Sequence, residues 1–183
     1  MADAKANTAY GPAILTALEQ SLPREQRIVD DSVAYQMLPG FAQWMIKACN
    51  VKPIGRAMFR LMEGSSPGIP GGIVCRKRYI QDKLNETLKA GNDPGIDAVV
   101  ILGAGLDTLA YRIPQLSAVH VYEVDLPQNS DYKKKKLEAF YGQVPSYVSL
   151  ISTDFETHSL DNRVPQQTAR ADRVPLERPP GRG

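Results

Sequence analysis

Residues 98–108 read AVVILGAGLDT, an apolar run that passes into two glycines and ends near a carboxylate. Five apolar residues followed by turn-forming residues are typical of a strand buried on both faces. Gly103 and Gly105 let the backbone turn tightly behind that strand, and Ala104 between them is small. A helix that follows such a turn presents free N–H groups to an anion. The stretch therefore predicts a binding loop at the carboxyl end of a parallel strand.

Two further runs with strand-like character follow the glycines along the chain. Residues 118–124 read AVHVYEV, and residues 146–152 read SYVSLIS. Each intervening segment is long enough for one crossover helix, and alternating strands and helices are typical of a parallel sheet. We therefore expect an α/β fold of the Rossmann-like kind. The strand over 99–102 is the most continuously apolar of the three and is predicted to be central.

The residues before the sheet are predicted to be mostly helical. Apolar residues recur at helical spacing over 13–22 and 40–48. In the second of these segments, Phe41, Trp44 and Ile46 are predicted to be core residues.

A second, longer helix is predicted directly before the first strand. The stretch EGSSPGIPGG over 63–72 is expected to be a loop, and the helix is expected to run from residue 73 to a stop at Gly91. Its apolar face is predicted to hold Ile80, Leu84 and Leu88.

Composition argues against several classes of protein. The 183 residues carry 22 basic and 20 acidic side chains, a formal charge of +2, which provides no field for nucleic acid or an anionic membrane. No run of eighteen apolar residues is present that could cross a membrane. Two cysteines indicate neither a disulfide framework nor a metal site, and we expect a cytoplasmic protein. The four lysines at 133–136 are predicted to lie on a solvated crossover helix.

The residues that close the three strands indicate a nucleotide-type cofactor. A dinucleotide fingerprint requires a third glycine where this chain has Thr108, which weakens the case for NAD. Glu123 and Asp125 follow about twenty residues after the glycines, where an acidic residue binds a ribose hydroxyl. Asp154 and Phe155 follow the third strand and could meet an adenine. S-adenosylmethionine fits best, because it combines a ribose, a carboxylate and cationic groups without a phosphate.

Three motifs occur in a specific order: VVILGAGLDTLAYRI over 99–113, VYEVDLP over 121–127 and STDFET over 152–157. Together they resemble the leucine carboxyl methyltransferase-like family of S-adenosylmethionine-dependent methyltransferases, specifically its bacterial members. The helical segment GIVCRKRYIQDKL over 72–84 is similar too. The resemblance implies a Rossmann-like class I methyltransferase fold, with N-terminal helices followed by an incomplete parallel sheet.

The resemblance also implies which residues bind the cofactor: Arg76, Gly103, Ala104, Gly105, Asp125, Asp154 and Phe155. In this assignment Arg76 meets the cofactor carboxylate and Asp125 binds the ribose. Asp154 and Phe155 lie at the adenine, and the three residues of the glycine loop contact the cofactor through the main chain.

Other residues near these positions are assigned structural roles. Asp107 and Arg112 are expected to hold the loop and the helix after it, and Glu123 is expected to be a neighbour of the site. Lys77 is given no role in binding, and the pair at 30–31 is predicted to cap a helix.

The resemblance divides the chain into three regions. Residues 1–95 form a helical region and residues 96–160 a partial S-adenosylmethionine-binding core. The resemblance is expected to end near Thr157, and residues 161–183 are predicted to be a disordered tail because they contain several prolines and arginines without apolar periodicity.

The predicted function is S-adenosylmethionine-dependent methyl transfer to an oxygen atom of a small-molecule acceptor that the sequence does not identify. No catalytic base is predicted, because the cofactor carries an activated methyl group. Two alternatives remain at this point. One is a truncated, inactive remnant that keeps part of the cofactor site, and the other is a nicotinamide-dependent oxidoreductase.

Overall fold

A computed structural model describes residues 9–49, 57–58, 60–61, 64–89 and 96–154. The predictions for Gly91, Phe155 and the tail over 161–183 lie outside the described residues. The helices are α1 (Tyr10–Glu19), α2 (Ala34–Met37), α3 (Gly40–Cys49), α4 (Ile69–Lys89), α5 (Leu109–Arg112) and α6 (Pro127–Tyr141). The strands are β1 (Ala98–Leu102), β2 (His120–Asp125) and β3 (Val148–Ser152).

The three predicted strands form one parallel sheet in the order β1-β2-β3. Val100 of β1 is in register with Tyr122, and Val124 of β2 is in register with Ile151. A parallel sheet with crossover helices is the arrangement that the alternating pattern predicts. The Rossmann-like α/β expectation is therefore confirmed for this part of the chain.

The prediction that β1 is central is wrong for the described strands, because β2 lies between the other two. On β1, Val99 and Ile101 pack against a core cluster that includes Leu116 and Val121, whereas Val100 and Leu102 on the other face are 45% and 57% exposed. On β2, by contrast, every residue from Val121 to Asp125 is buried. Apolar continuity therefore does not decide the order, since β2 buries two carboxylates that find partners inside the protein.

The N-terminal helices pack against α4, α6 and the glycine loop. One core cluster contains Ala13 and Leu18 of α1, Met37 of α2, Leu106 of the loop and Leu137 of α6. Because Leu106 of the loop and Leu137 of α6 belong to this cluster, the N-terminal helices share an apolar core with the loop and with a crossover helix of the sheet. The position of the loop therefore depends on the N-terminal helices.

The predicted core residues of α3 divide between two faces of the helix. Ile46 is buried together with Ala42 and Cys49, but Phe41 and Trp44 are 75% and 69% exposed. Ala42, Ile46 and Cys49 recur at the spacing of one helix face, and the two aromatic residues fall on the other side. The core assignment of Phe41 and Trp44 is therefore wrong.

The predicted loop over 63–72 ends earlier than expected, because α4 begins at Ile69. Gly68, with φ of 78°, lies directly before the helix, and Pro70 occupies its first turn, where a proline costs no intrahelical hydrogen bond. On the predicted apolar face, Leu84 and Leu88 pack against the core, whereas Ile80 is 45% exposed. Within the described ranges no helix has both the length and the apolar content for crossing a membrane.

Candidate active site

A cavity of about 500 Å³ lies at the carboxyl ends of the strands, where open α/β sheets bind ligands. It is lined by Ala9, Pro12, Ala13, Arg76, Lys77, Gly103, Ala104, Gly105, Leu106, Asp107, Asp125, Leu126, Asn129 and Asp154. Six of the seven predicted cofactor-binding residues are among these, and the seventh, Phe155, lies outside the described residues. Residues from both ends of the described chain thus meet at one cavity.

Both glycines of the loop adopt a backbone conformation that favours glycine, and Gly105 also has a close neighbour. Gly103 and Gly105 have φ of 64° and 46°, in the left-handed region that glycine adopts readily. The N–H groups of Gly103 and Ala104 both donate to the carbonyl of Val124, at 2.8 and 3.2 Å. A Cβ on Gly105 would lie 3.2 Å from the Cβ of Ala9, so this glycine also permits close approach of the N-terminal segment.

Asp125 closes β2 and fixes the loop from the sheet side. Its Oδ2 accepts a hydrogen bond from the N–H of Gly105 at 2.5 Å. Its Oδ1 accepts from the N–H of Leu126 at 2.7 Å and from Nδ2 of Asn129 at 2.6 Å. A carboxylate offers about four acceptor positions, so three bonds leave capacity for one more donor. Asp125 is 8% exposed and lines the cavity, so that donor could be a ligand hydroxyl.

Asp154 reaches the same cavity from the end of β3. The N–H of Thr153 donates to the carbonyl of Asp125 at 2.9 Å, which joins the two strand ends. Asp154, the next residue, lines the cavity. The carboxylates that follow β2 and β3 are therefore brought together, as their positions at strand ends predict.

Two consecutive residues of α4 provide the cations of the cavity. Arg76 is exposed, and no hydrogen bond or ion pair joins it to another described residue. Lys77 is only 6% exposed and ion-pairs with Asp107, their Nζ and Oδ2 being 3.4 Å apart. The assignment of no role to Lys77 missed this contact. Lys77 follows the buried Val74 by three residues and precedes Leu84 by seven, so helical spacing along α4 could have located it.

Asp107 lies where the loop passes into α5. Its Oδ1 accepts the N–H of Leu109 at 2.7 Å, which holds the start of the helix as expected. Burial acts to raise the pKa of the Asp107 carboxyl, but Lys77, the N–H of Leu109, Lys133 and Arg112 outweigh it and hold the pKa below its usual value. Asp107 is therefore ionised at neutral pH.

Asp31 connects the N-terminal helices to the loop. Its Oδ1 accepts the N–H groups of Val33 and Ala34 at 3.2 and 2.9 Å, so Asp31 holds the turn before α2. The N-cap residue of α2 is Val33, so the prediction that the pair at 30–31 caps a helix is wrong in position. Its Oδ2 accepts the hydroxyl of Thr108 and lies 3.8 Å from Nε of Arg112. Thr108 stands where a dinucleotide fingerprint has its third glycine. Its side chain is hydrogen-bonded within the protein.

A second charged group lies beneath the cavity, between β2 and α6. Lys133 and Glu123 are both 1% exposed, with Nζ and Oε2 2.7 Å apart. The hydroxyl of Tyr111 donates to the same carboxylate oxygen at 2.8 Å. Burial raises the pKa of Glu123, although Lys133 and the Tyr111 hydroxyl act to lower it.

This buried pair corrects the prediction that residues 133–136 are solvated. Lys134 and Lys135 are exposed, but Lys133 is enclosed, and Nζ of Lys136 donates to the carbonyl of Leu38 at 2.6 Å. A run of like residues on a helix faces several directions, so its members need not share one environment. The expectation that Glu123 is a neighbour of the site agrees with its position, since it does not line the cavity.

The charges around the cavity differ in kind from those of a phosphate site. Among the described lining residues, two cations, Arg76 and Lys77, stand against three carboxylates, those of Asp107, Asp125 and Asp154. This part of the lining is therefore net negative, with its exposed cation on the α4 side. A glycine loop after the first strand and a carboxylate closing the second form the arrangement with which Rossmann-like domains bind nucleoside-containing cofactors.

The family of this domain follows from comparison with known proteins. A family model described as leucine carboxyl methyltransferase matches residues 9–174. The chain belongs to the leucine carboxyl methyltransferase family. The match continues past Thr157 into the region predicted to be unlike the family, so the expected end of the resemblance is wrong. The comparisons do not support the remnant alternative.

Curated relatives come from mycobacteria and carry the name "Putative S-adenosyl-L-methionine-dependent methyltransferase". One from Mycolicibacterium vanbaalenii is 34% identical over 108 residues, which are 56% of this chain and 35% of the relative. One from Mycobacterium bovis is 39% identical over 77 residues, 42% of this chain and 24% of the relative. One from Mycolicibacterium paratuberculosis is 28% identical over 131 residues, 66% of this chain and 42% of the relative. The chain thus spans less than half the length of each of these relatives.

Proposed function

We propose that the chain binds S-adenosylmethionine in the cavity and transfers its methyl group to an oxygen atom of a small-molecule acceptor. The observation that carries this proposal is the position of Asp125, which holds the glycine loop, lines the cavity and keeps capacity for one more donor. The family and the names of the mycobacterial relatives support the same cofactor.

The residues present fit this cofactor in three respects. The carboxylate of the cofactor requires a cation, and Arg76 is exposed at the cavity without another partner among the described residues. The ribose requires an acceptor, which Asp125 offers. The cofactor as a whole carries a net positive charge, and the cavity lining is net negative.

When bound, S-adenosylmethionine supplies an activated methyl group, so the protein contributes mainly orientation and electrostatics. Arg76 orients the amino-acid end of the cofactor, and the main chain of residues 103–105 approaches its middle. Asp125 binds the ribose, and Asp154 with Phe155 binds the adenine. An ionised acceptor oxygen, such as that of a carboxylate, needs no general base, and we assign none.

The family description names a carboxyl methyltransferase, which supports an oxygen acceptor. We also place the reaction in the cytoplasm. Cys49 and Cys75 are both unpaired, as is usual for cysteines in a reducing compartment. The expectation that neither nucleic acid nor a membrane is a partner stays a prediction.

Calorimetric titration of the 183-residue chain with S-adenosylmethionine and S-adenosylhomocysteine tests the proposed site. We expect saturable binding that is lost in Asp125→Ala and kept in Asp131→Ala. Asp131 is an exposed carboxylate on α6 and is the matched control. Circular dichroism of each variant establishes that it is folded. Binding of NADH without binding of S-adenosylmethionine would revive the oxidoreductase alternative and overturn the proposal.

A further inference from the structure

Arg76 and Lys77 are consecutive residues of α4 that both line the cavity, but their side chains have different surroundings. Arg76 is exposed, whereas the ammonium of Lys77 is enclosed by oxygen atoms. Successive helix residues are separated by about 100° around the axis, so one side chain meets solvent and the other meets the protein interior. Lys77 is therefore available for a contact that Arg76 does not make.

Three parts of the chain supply the oxygen atoms around Lys77. Its Nζ lies 3.2 Å from Oγ1 of Thr16 on α1 and 3.4 Å from Oδ2 of Asp107 in the glycine loop. It also lies 3.9 Å from Oδ2 of Asp31, which precedes α2. The Thr16 hydroxyl donates to the carbonyl of Pro12 at 2.9 Å, so it accepts from Lys77. One ammonium thus joins the loop to the N-terminal helices.

Of these carboxylates, Asp107 depends most on Lys77. Asp31 has a second cation within 4 Å, Arg112, whereas Lys77 is the one cation that ion-pairs with Asp107 among the described residues. Asp107 is 33% exposed and lines the cavity. Removal of its ion-pair partner would therefore change the position of a residue in the cavity wall.

We propose that Lys77 is a positioning residue that holds the second half of the glycine loop against the N-terminal helices, so that the loop is preformed for the cofactor. The first half is held by Asp125 through the N–H of Gly105. Lys77 acts through Asp107 and makes no contact with the cofactor itself. The proposal rests on the proposed function only for the identity of the ligand.

Binding of three ligands separates this role from direct cofactor recognition. Dissociation constants of S-adenosylmethionine, S-adenosylhomocysteine and 5′-methylthioadenosine are measured for the parent chain, Lys77→Met and Lys83→Met. Lys83 pairs with Glu86 in an exposed contact on the same helix and is the matched control. We expect Lys77→Met to weaken all three ligands by the same factor, at least about tenfold, and Lys83→Met to weaken none.

The third ligand lacks the amino-acid carboxylate and therefore identifies a direct contact. If Lys77 bound that carboxylate, 5′-methylthioadenosine would bind the variant and the parent equally, and the proposal would be wrong. A double-mutant cycle adds a second criterion. We expect Lys77→Met combined with Asp107→Asn to bind no more weakly than the weaker single variant, whereas additive losses would show that Lys77 does not act through Asp107.

Amide hydrogen exchange of the ligand-free chain provides a readout that needs no cofactor. We expect amides 104–109 to exchange faster in Lys77→Met, with the amides of β2 unchanged. If the parent chain bound none of the ligands, the proposed function would fail, yet unchanged exchange at 104–109 would still overturn the role of Lys77. Should Lys77→Met not fold, Asp107→Asn removes the other member of the pair, and the same local increase is expected.

Discussion

Asp125 and Glu123 stand two residues apart on β2, and their side chains leave the same face of the sheet, yet they meet different surroundings. Asp125 lies at the strand end, bonds to main-chain and amide N–H groups, and lines the cavity. Glu123 lies one pleat deeper and is enclosed with Lys133. Position along a parallel strand therefore decides whether a carboxylate lies at the cavity or is enclosed in the fold.

Of the substitutions that test this comparison, Lys133→Met is expected to lower the free energy of unfolding most. The substitution leaves Glu123 as a buried carboxylate without its cation, and breaking such a pair destabilises a protein by about 3–5 kcal/mol. Urea unfolding measures the loss. The control is Lys134→Met, which removes an exposed lysine 3.9 Å from Glu138 and should change stability by less than about 0.5 kcal/mol. Equal losses in both variants would contradict the distinction between the two lysines.

Gly105→Ala tests the loop that Asp125 holds. The left-handed conformation costs a non-glycine residue about 1–2 kcal/mol, and the added Cβ would press on Ala9. We expect lower stability and weaker S-adenosylmethionine binding, measured by thermal unfolding and calorimetry. Gly72→Ala on α4 is the control, since nothing lies within 4 Å of its added Cβ. That variant should be more stable by up to about 1 kcal/mol, because alanine favours a helix.

Asp107 and Glu123 should contribute to the pH dependence of stability with opposite signs. The pKa of Asp107 is lowered in the folded protein, so its contribution is present above the unfolded value of 3.8 and is lost as pH falls through the folded value. The pKa of Glu123 is raised, so the folded state is favoured below 4.5 and this advantage is lost as pH rises through the folded value.

Unfolding free energies measured from pH 3 to 8 check these two signs. Asp107→Asn should flatten the acid side of the profile, and Glu123→Gln should remove the decline that begins above about pH 4.5. Identical profiles for both variants would show that the two carboxylates are not in opposed environments.

The smallest effect is expected from Trp44→Ala. Because Trp44 is 69% exposed, its removal should change the unfolding free energy by less than about 0.5 kcal/mol, whereas a core tryptophan would cost about 3–5 kcal/mol. Chemical denaturation distinguishes these values. A loss in the larger range would restore the original assignment of Trp44 to the core.

The features that sequence reasoning found share one property: they depend on local backbone geometry. The strands follow from apolar runs, and the glycine loop follows from residues 103–105 at a strand end. Carboxylates at strand ends, such as Asp125 and Asp154, meet because parallel strands bring their carboxyl ends to one edge.

The features that sequence reasoning missed depend on contacts between residues that are distant in the chain. Lys133 and Lys134 are adjacent lysines on one helix, and only the position of β2 decides which is buried. Lys77 meets Thr16 across 61 positions of sequence. The prediction that Trp44 lies in the core rests on its apolar aromatic side chain. The face of α3 that packs inward is instead the one that carries Ala42 and Ile46.

The cavity lining runs from Ala9 to Asp154 and so includes both ends of the described chain. During synthesis the N-terminal wall leaves the ribosome long before β3 does, so Ala9 and Asp154 can line one cavity only after β3 has paired with β2. A ligand that binds here requires both parts to be folded together and adds RT ln(1 + [L]/Kd) to the stability of that arrangement. Cofactor concentration in the cell would therefore influence how much newly made chain survives proteolysis.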